Sequence, residues 1–463
     1  MRARGLTLPD ASALAPWTLR LRREVAVTGR LAAPIVGGQL ALMGLSFTDT
    51  VMAGQLGAAA LGAVAVGASS WSAVNFFVLG TLLAVPPFVS QMAAAGRRRA
   101  VGAFFRQVVW VALGLGLAAV AVVANLRPLL EAIAVEPAIV PTIEGYLRAL
   151  VWGIPAWCLY LALRFTSEGL GETRPVLYFG LLGLPVNAVA NQLFMFGAFG
   201  LPGLGAVGCG YATALVWTAQ ALAMALYVAR RPAYRGLHLF ARLDAPRPRR
   251  IGEVLRVGLP IAVTLFVEGS IFTAVALLLG SMGTEVVAGH MVALNFAAIV
   301  FMVPLGISMA MTVRVGDALG RRDGAALRFR AGVGIGLALV WQALAAAVML
   351  VLPRAVARIY TDDPAVVEVA VSLLFFAALF QLSDGVQVSA AAALRGIKDT
   401  RLPMLVVVVA YWLFGLPSGW WLAYRRGWGA EGMWAGLVVG LTVAAALLAV
   451  RFERASRRLA ARL

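Results

Sequence analysis

Charge is what this chain of 463 residues has least of. Charged residues make up 13% of it, where an ordinary soluble domain carries roughly 25%. With 61% hydrophobic residues, no water-exposed surface can be built. Cysteine is nearly absent: Cys158 and Cys209 are the only two, and both lie in apolar stretches. That excludes a disulfide scaffold and a CxxC metal site. The two histidines, His238 and His290, form no HExxH pair, and neither cysteine has a histidine beside it by motif, so enzyme chemistry has no support. Lys398 is the only lysine among 39 basic residues, a bias that says nothing of mechanism. The net charge of +18 does not point to nucleic acid, because the arginines sit in short loops between apolar runs rather than on one face or in a tail.

What is present is long apolar runs. Residues 61–90, 205–229 and 430–450 each reach or exceed the ~20 residues that cross ~30 Å of hydrocarbon as a helix. A buried core helix of a large soluble protein would need amphipathic partners around it, and almost no segment has a polar face. Twelve transmembrane helices are expected, near 31–54, 61–90, 102–124, 141–164, 175–198, 205–229, 255–280, 287–315, 330–352, 368–392, 403–423 and 430–451. Arginines cluster after the second, sixth, eighth and last spans, at Arg97–Arg99 with Arg106, Arg230 to Arg250, Arg321 to Arg330, and Arg454 to Arg462. The intervening loops are nearly free of basic residues or mix both signs. The positive-inside rule places the arginine-rich set and both termini in the cytoplasm. No secretory signal precedes the first span, and the expected location is the inner membrane of a bacterium.

The two halves resemble each other at an offset of about 226 residues. Pro34-Ile35 aligns with Pro260-Ile261, Gly54 with Gly280, Gly57 with Gly283 and Gly80 with Gly306; GLGETR (169–174) matches GIKDTR (396–401), and GAVG (205–208) matches GAEG (429–432). An even number of spans per half gives both halves one orientation, a parallel repeat about an axis along the membrane normal. The expected organisation is a cytoplasmic segment (1–30), a six-helix lobe (31–229), a basic linker (230–254), a second six-helix lobe (255–451) and a cytoplasmic tail (452–463).

Of 21 acidic residues, nearly all fall in the tail, the loops or the span ends. Asp49, Glu268 and Asp384 do not. A charge near the bilayer centre costs roughly 2.5 to 3.5 kcal/mol on insertion scales, so each acid needs a compensating environment. Desolvation disfavours the charged form, so such a group can take up a proton, or it can stay ionised by holding Na⁺ through its oxygens. Either way its charge is switchable, which is what ion-coupled transport requires. Plain interhelical hydrogen bonding is the alternative. No basic residue is evident at comparable depth to form a permanent pair. Asn187 and Asn191 share one face of the fifth span at i,i+4, and Thr213 lies in the sixth. His290 could relay protons or sit at an interface. Trp420, Trp421 and Trp428 read as interfacial anchors, and Glu144 with Arg148 as a local surface pair.

Over residues 27–450 the sequence resembles the multidrug and toxic compound extrusion (MATE) transporters, within them the NorM-like branch. The stretches that carry the likeness are DTVMAG (49–54), PVNAVANQLFMFG (185–197), VGCGYATA (207–214), AGHMVALNF (288–296), SDGVQV (383–388) and ALRGIKDT (393–400). The resemblance implies an all-α membrane fold of twelve helices in two lobes. It implies export of cationic or amphipathic drugs in exchange for Na⁺ or H⁺, without a cofactor and as a monomer. By motif, Asp49 resembles the first-lobe coupling carboxylate with Asn187, Asn191 and Thr213 around it. Glu268 and Asp384 resemble a second-lobe site that could hold Na⁺, with Phe380 and Gln387 beside it. Close relatives place a tyrosine where this chain has Phe380, which keeps a cation-π face but loses a hydroxyl. The rivals are a channel, and a flippase of related fold for lipids or lipid-linked precursors, whose anionic cargo would require arginines in the cavity.

Overall fold

The computed structural model describes residues 16–462 except 133–135, 199, 201 and 243; residues 1–15 of the expected N-terminal segment and Leu463 of the tail lie outside the described residues. Helices follow one another as α1 (Trp17–Gln55), α2 (Ala58–Leu82), α3 (Val85–Ala94), α4 (Arg98–Ala124), α5 (Arg127–Ala132), α6 (Val140–Val151), α7 (Ile154–Gly169), α8 (Arg174–Asn191), α9 (Ala206–Arg230), α10 (Pro248–Gly280), α11 (Thr284–Gly320), α12 (Gly324–Val351), α13 (Pro353–Arg358), α14 (Pro364–Gly396), α15 (Arg401–Val409), α16 (Leu416–Trp420) and α17 (Gly429–Ala460). In hydrocarbon a helix satisfies every backbone N–H and C=O within its own segment, which is why apolar runs of this length adopt it. Among the described residues eleven spans are long and apolar enough to cross a membrane, twelve when the pair α6 and α7, bent by 49°, counts as one.

Local chemistry sets the interruptions. Pro86 and Pro87 follow the break between α2 and α3, and Gly153 with Pro155 marks the bend between α6 and α7, because proline removes a ladder donor. Gly57 and Gly283, which align in the repeat, cap the starts of α2 and α11 with φ of 106° and 120°, a region that costs glycine nothing. The repeat is thus visible in backbone conformation as well as in sequence. In the second half Asp323 and Asp363 accept hydrogen bonds from Ala326 N and Ala365 N, at 2.8 and 2.9 Å, and cap α12 and α14. Three short π-helical stretches interrupt the ladder, at Gln192–Phe196, Ala410–Gly415 and Trp421–Arg425.

The chain divides into two compact units. One holds Gly37–Ala262; the other holds Val263–Leu463 together with α1 up to Val36. The first is built on α2, α4, α6, α7, α8 and α9, around an aromatic stack in which Trp217 lies 5.2 Å from both Trp71 and Trp157. In it Gly80 lies directly against Ala262 of α10. The second is built on α11, α12, α14 and α17, and there Gly306 lies against Val36 of α1. These two contacts are related by the repeat offset. Each puts a glycine where two helix backbones approach, as lipid-embedded packing favours.

Helix α1 begins at Trp17, well before the first span expected at residue 31. The reason is Glu24, which is buried and accepts a bidentate pair from Arg314 of α11 at 2.8 and 2.6 Å; Arg330 of α12 joins the cluster through Asp317 at 2.5 Å. Arg330, read from sequence as a topology signal, is thus a structural clamp. So is Arg106. It donates to Asp244 at 2.8 Å and to His238 O at 2.7 Å, while Gln107 and Trp110 donate to Ala245 O and Asp244 O. The basic linker after α9 is therefore docked on α4.

Hydrogen bonding from Arg106, aided by the charges of Arg106 and Arg242, holds the Asp244 carboxyl below its ordinary value of 3.8. A lowered folded pKa means stabilisation that is complete above the unfolded value of about 3.9 and lost as the pH falls through the folded one. The docked linker should accordingly resist proteolysis unchanged from neutral pH to about pH 4.5, and become cleavable by pepsin only well below that. Asp244→Asn should expose the linker arginines to trypsin already at pH 7.5. A linker equally protected in the variant would show that Asp244 does not hold it.

Candidate functional site

Two acidic centres form, one in each unit. In the first, α8 ends in the face that carries Asn187 and Asn191 one turn apart, just ahead of the π-helical stretch 192–196. The carbonyls of Phe194 and Met195 in that stretch accept from Leu204 N and Gly205 N, at 2.8 and 3.0 Å, which fixes the return into α9. Both amides donate to the same oxygen, Asp49 Oδ1, at 2.7 and 2.6 Å. Both asparagines are buried, and the Asn191 carbonyl oxygen has no hydrogen-bond partner among the described residues. The Cys209 thiol and the Tyr146 ring lie close enough to Asp49 to feel its charge. Thr213 donates to Cys209 O at 3.0 Å rather than to the acid, so it stands one residue removed.

In the second unit Glu268 on α10 faces α14. Gln387 Nε2 donates to Glu268 Oε1 at 2.6 Å. Asp384, on the same face of α14 as Gln387 and Phe380, is buried, has no hydrogen-bond partner among the described residues, and feels the charge of Glu268. Tyr411, in the π-helical stretch 410–415, feels both acids. Phe380 packs edge-on against Phe272 at 5.9 Å and Trp434 at 6.2 Å between ring centroids, so an aromatic wall closes this side of the acids. Trp434 donates to His290 Nδ1 at 3.2 Å, and His290 is wholly buried with Nε2 unpartnered. Burial thus places His290 inside the second unit, against Trp434. Behind Asp384, Gln342 donates to Gln381 at 2.7 Å, and Gln381 donates to Ala297 O at 3.1 Å.

One expectation is overturned here. The sequence showed no basic residue near the depth of the acids, but α14 runs on to Gly396 with Arg395 in its last turn, and Glu268 feels its charge although no ion pair joins them among the described residues. Arg164 of α7, which is fully buried, pairs with Glu168 at 2.8 Å and donates to Gln39 at 2.9 Å. The acids of the two centres, by contrast, are met by neutral donors or by one another. Two carboxylates in one desolvated space repel, so a proton or a hard cation between Glu268 and Asp384 relieves a cost. Their oxygens, with Asp384 unpartnered, suit a cation that takes oxygen ligands.

A family model, MatE, matches residues 34–193 and again 260–421. The chain belongs to the MatE family. The two matched segments coincide with the sequence repeat. Among relatives, the chain is 42% identical over 456 residues to a "Probable multidrug resistance protein NorM" of Xanthomonas campestris, covering 98% of this chain and 99% of that one. It is 43% identical to "Multidrug resistance protein PmpM" of Pseudomonas aeruginosa, covering 95% and 93%. Among solved structures it resembles the eukaryotic MATE transporter AtDTX14 with a TM-score of 0.85 at 19% identity, covering 96% and 99% of the two chains. An outward-facing multidrug resistance MATE transporter gives 0.83 at 20%, covering 96% and 99%. The all-α, multi-span architecture is that of MATE transporters.

Sequence reasoning missed Cys209, Tyr411 and Arg395 in this MatE chain. Cys209 was within reach, since it lies four residues before Thr213 in VGCGYATA and so on the same helix face. Tyr411 depended on which way a π-helical stretch turns its side chains, and no spacing rule reveals that.

The Asp49 centre makes a stability prediction. A buried charged group stripped of its donors costs about 1 to 3 kcal/mol or more, whereas apolar replacement of all partners can be nearly neutral. Asn187→Leu with Asn191→Leu should lower the thermal unfolding midpoint of the detergent-solubilised protein by several degrees. Adding Asp49→Leu should restore most of the loss, and Thr213→Val should barely change it. Additive losses in the triple variant would show that the amides do not serve the carboxylate.

Proposed function

We propose that this protein is a cation-coupled antiporter that exports cationic or amphipathic small molecules by alternating access, in exchange for inward-moving H⁺ or Na⁺. The observation that carries the reading is the pair of acidic centres: Asp49 held by two neutral amides, and Glu268 beside an unpartnered Asp384. Among the described residues none has a cationic partner within ion-pair distance, so each is free to exchange one cation for another. The names of the relatives, multidrug resistance proteins NorM and PmpM, support the substrate class. Coupling follows from charge. An acid occupied by H⁺ or Na⁺ is cheaper to carry through a closed, dry intermediate than a bare one, so occupancy biases the exchange between inward- and outward-facing states. A cationic drug that needs the bare acids then competes with the ion, and the ion gradient drives the drug out. Glu268 and Asp384 are the pair we assign to Na⁺ if Na⁺ is used.

Cytoplasmic placement of both termini rests on the arginine-rich loops, and the inner membrane of a bacterium is the location we assign, with the protein acting as a monomer. A flippase for lipids or lipid-linked precursors is the second reading. Its anionic cargo would need free arginines, and Arg164 is already neutralised by Glu168.

The deciding experiment is efflux of a fluorescent cation from vesicles with reconstituted protein, under a proton gradient and a sodium gradient imposed separately. Wild type should respond to at least one. Asp49→Asn, Glu268→Gln and Asp384→Asn combined should abolish the response, and gradient-driven efflux that survives all three would overturn the proposal. Phe380→Tyr should raise the sodium-driven component relative to the proton-driven one, because it returns a hydroxyl oxygen one turn from Asp384.

A further inference from the structure

An open cavity of about 360 Å³ lies in the second unit, between the turn after α14 and the end of α17. It is lined by Ile397, Lys398, Asp399, Arg451, Ala455 and Arg458, with Leu459 and Arg462 at its edge. Four basic side chains meet a single acid there. That acid is already engaged, since Arg451 Nε donates to Asp399 Oδ2 at 2.8 Å, and neither Arg458 nor Arg462 forms an ion pair among the described residues. Charge bias in loops accounts for the number of arginines, and the end of a helix accounts for cations near its last carbonyls. Neither accounts for their convergence on one open cleft from two separate parts of the chain.

The backbone at Lys398 is the second observation. Its φ is 63°, one of three positive values at non-glycine residues among the described residues. The repeat-related loop of the first half, GLGETR, has Gly171 in the same place, with φ of 82°. A left-handed conformation is strained for a lysine and free for a glycine. The second half has thus kept the turn and put its only lysine on it, at the rim of the cavity. Guanidinium forks and a lysine point charge are the groups that recognise phosphate oxygens. Basic pockets among the ends of spanning helices take phosphate headgroups, and the volume falls within the ~300–1,000 Å³ range of small-ligand sites.

We propose that this cavity binds a phosphate-bearing anion through Lys398, Arg451, Arg458 and Arg462. The anion is supplied either by the headgroup of an acidic phospholipid or by a free polyphosphate.

Lys398 makes the test specific, because acylation of its amine is read on one peptide by mass spectrometry. The full chain carrying Arg454→Lys provides a reference amine on α17 outside the cavity, which cancels the general effect of surface potential. The protein is placed in nanodiscs of phosphatidylcholine, of phosphatidylcholine with cardiolipin, or of phosphatidylcholine with inorganic pyrophosphate in the buffer. We expect acylation of Lys398 to slow about fivefold or more relative to the reference, as a contribution of about 1 kcal/mol per basic group implies. Slowing by cardiolipin identifies a lipid headgroup, and slowing by pyrophosphate identifies a soluble anion. Arg458→Gln with Arg462→Gln, both at exposed positions, should bring the rate back to within about twofold of that in phosphatidylcholine. Equal rates at the two amines under every condition, or protection that persists in the double glutamine variant, would overturn the proposal.

Discussion

A carboxylate inside a bundle of apolar helices has to find its hydrogen-bond donors within the protein, and most of the informative structure follows from that constraint. Asp49 meets it with two asparagine amides delivered by one helix face, and both bonds go to one oxygen. Glu268 meets it with Gln387 from a different helix. Asp384 has no donor among the described residues, which leaves its oxygens for an exchangeable cation. The helices themselves are fixed by the same physics applied to the backbone.

Neutral donors matter more here than charged ones. A permanent guanidinium partner would hold an acid ionised and fill the place that a transported cation needs. Arg164 with Glu168, and Arg314 with Glu24, show what such pairing does elsewhere in the chain: it locks helices together. Arg395 is the intermediate case, felt by Glu268 but not bonded to it. The distinction between acids that clamp and acids that exchange is therefore a matter of who the nearest donor is, and each unit contains both kinds.

The repeat shapes the backbone and is then broken by the side chains. Gly57 and Gly283 cap matching helices with matching left-handed geometry, and Gly80 and Gly306 occupy matching close approaches. Asp49 and Glu268, though both on the first helix of their halves, do not stand at equivalent positions, and Asn187 and Asn191 have no counterparts in the second half. Lys398 departs from Gly171 in the same way. Helix packing needs the shared glycines; the charge chemistry does not need symmetry and has diverged.

The sequence by itself determined the membrane-spanning helical class, the halves, and the three acids, because each follows from a local count: apolar run length, an offset in register, and a charge where none is cheap. Motif likeness also named Gln387 and Phe380, which share a face of α14 with Asp384. Tertiary structure alone decided that both amides serve one oxygen of Asp49, that His290 is buried against Trp434, and that Arg395 belongs to a helix. It also decided that α1 starts at Trp17 because Glu24 finds Arg314, far along the chain. These depend on distances between residues far apart in sequence, which no periodicity encodes, and on helix ends, which proline, caps and distant ion pairs settle together rather than any one residue alone.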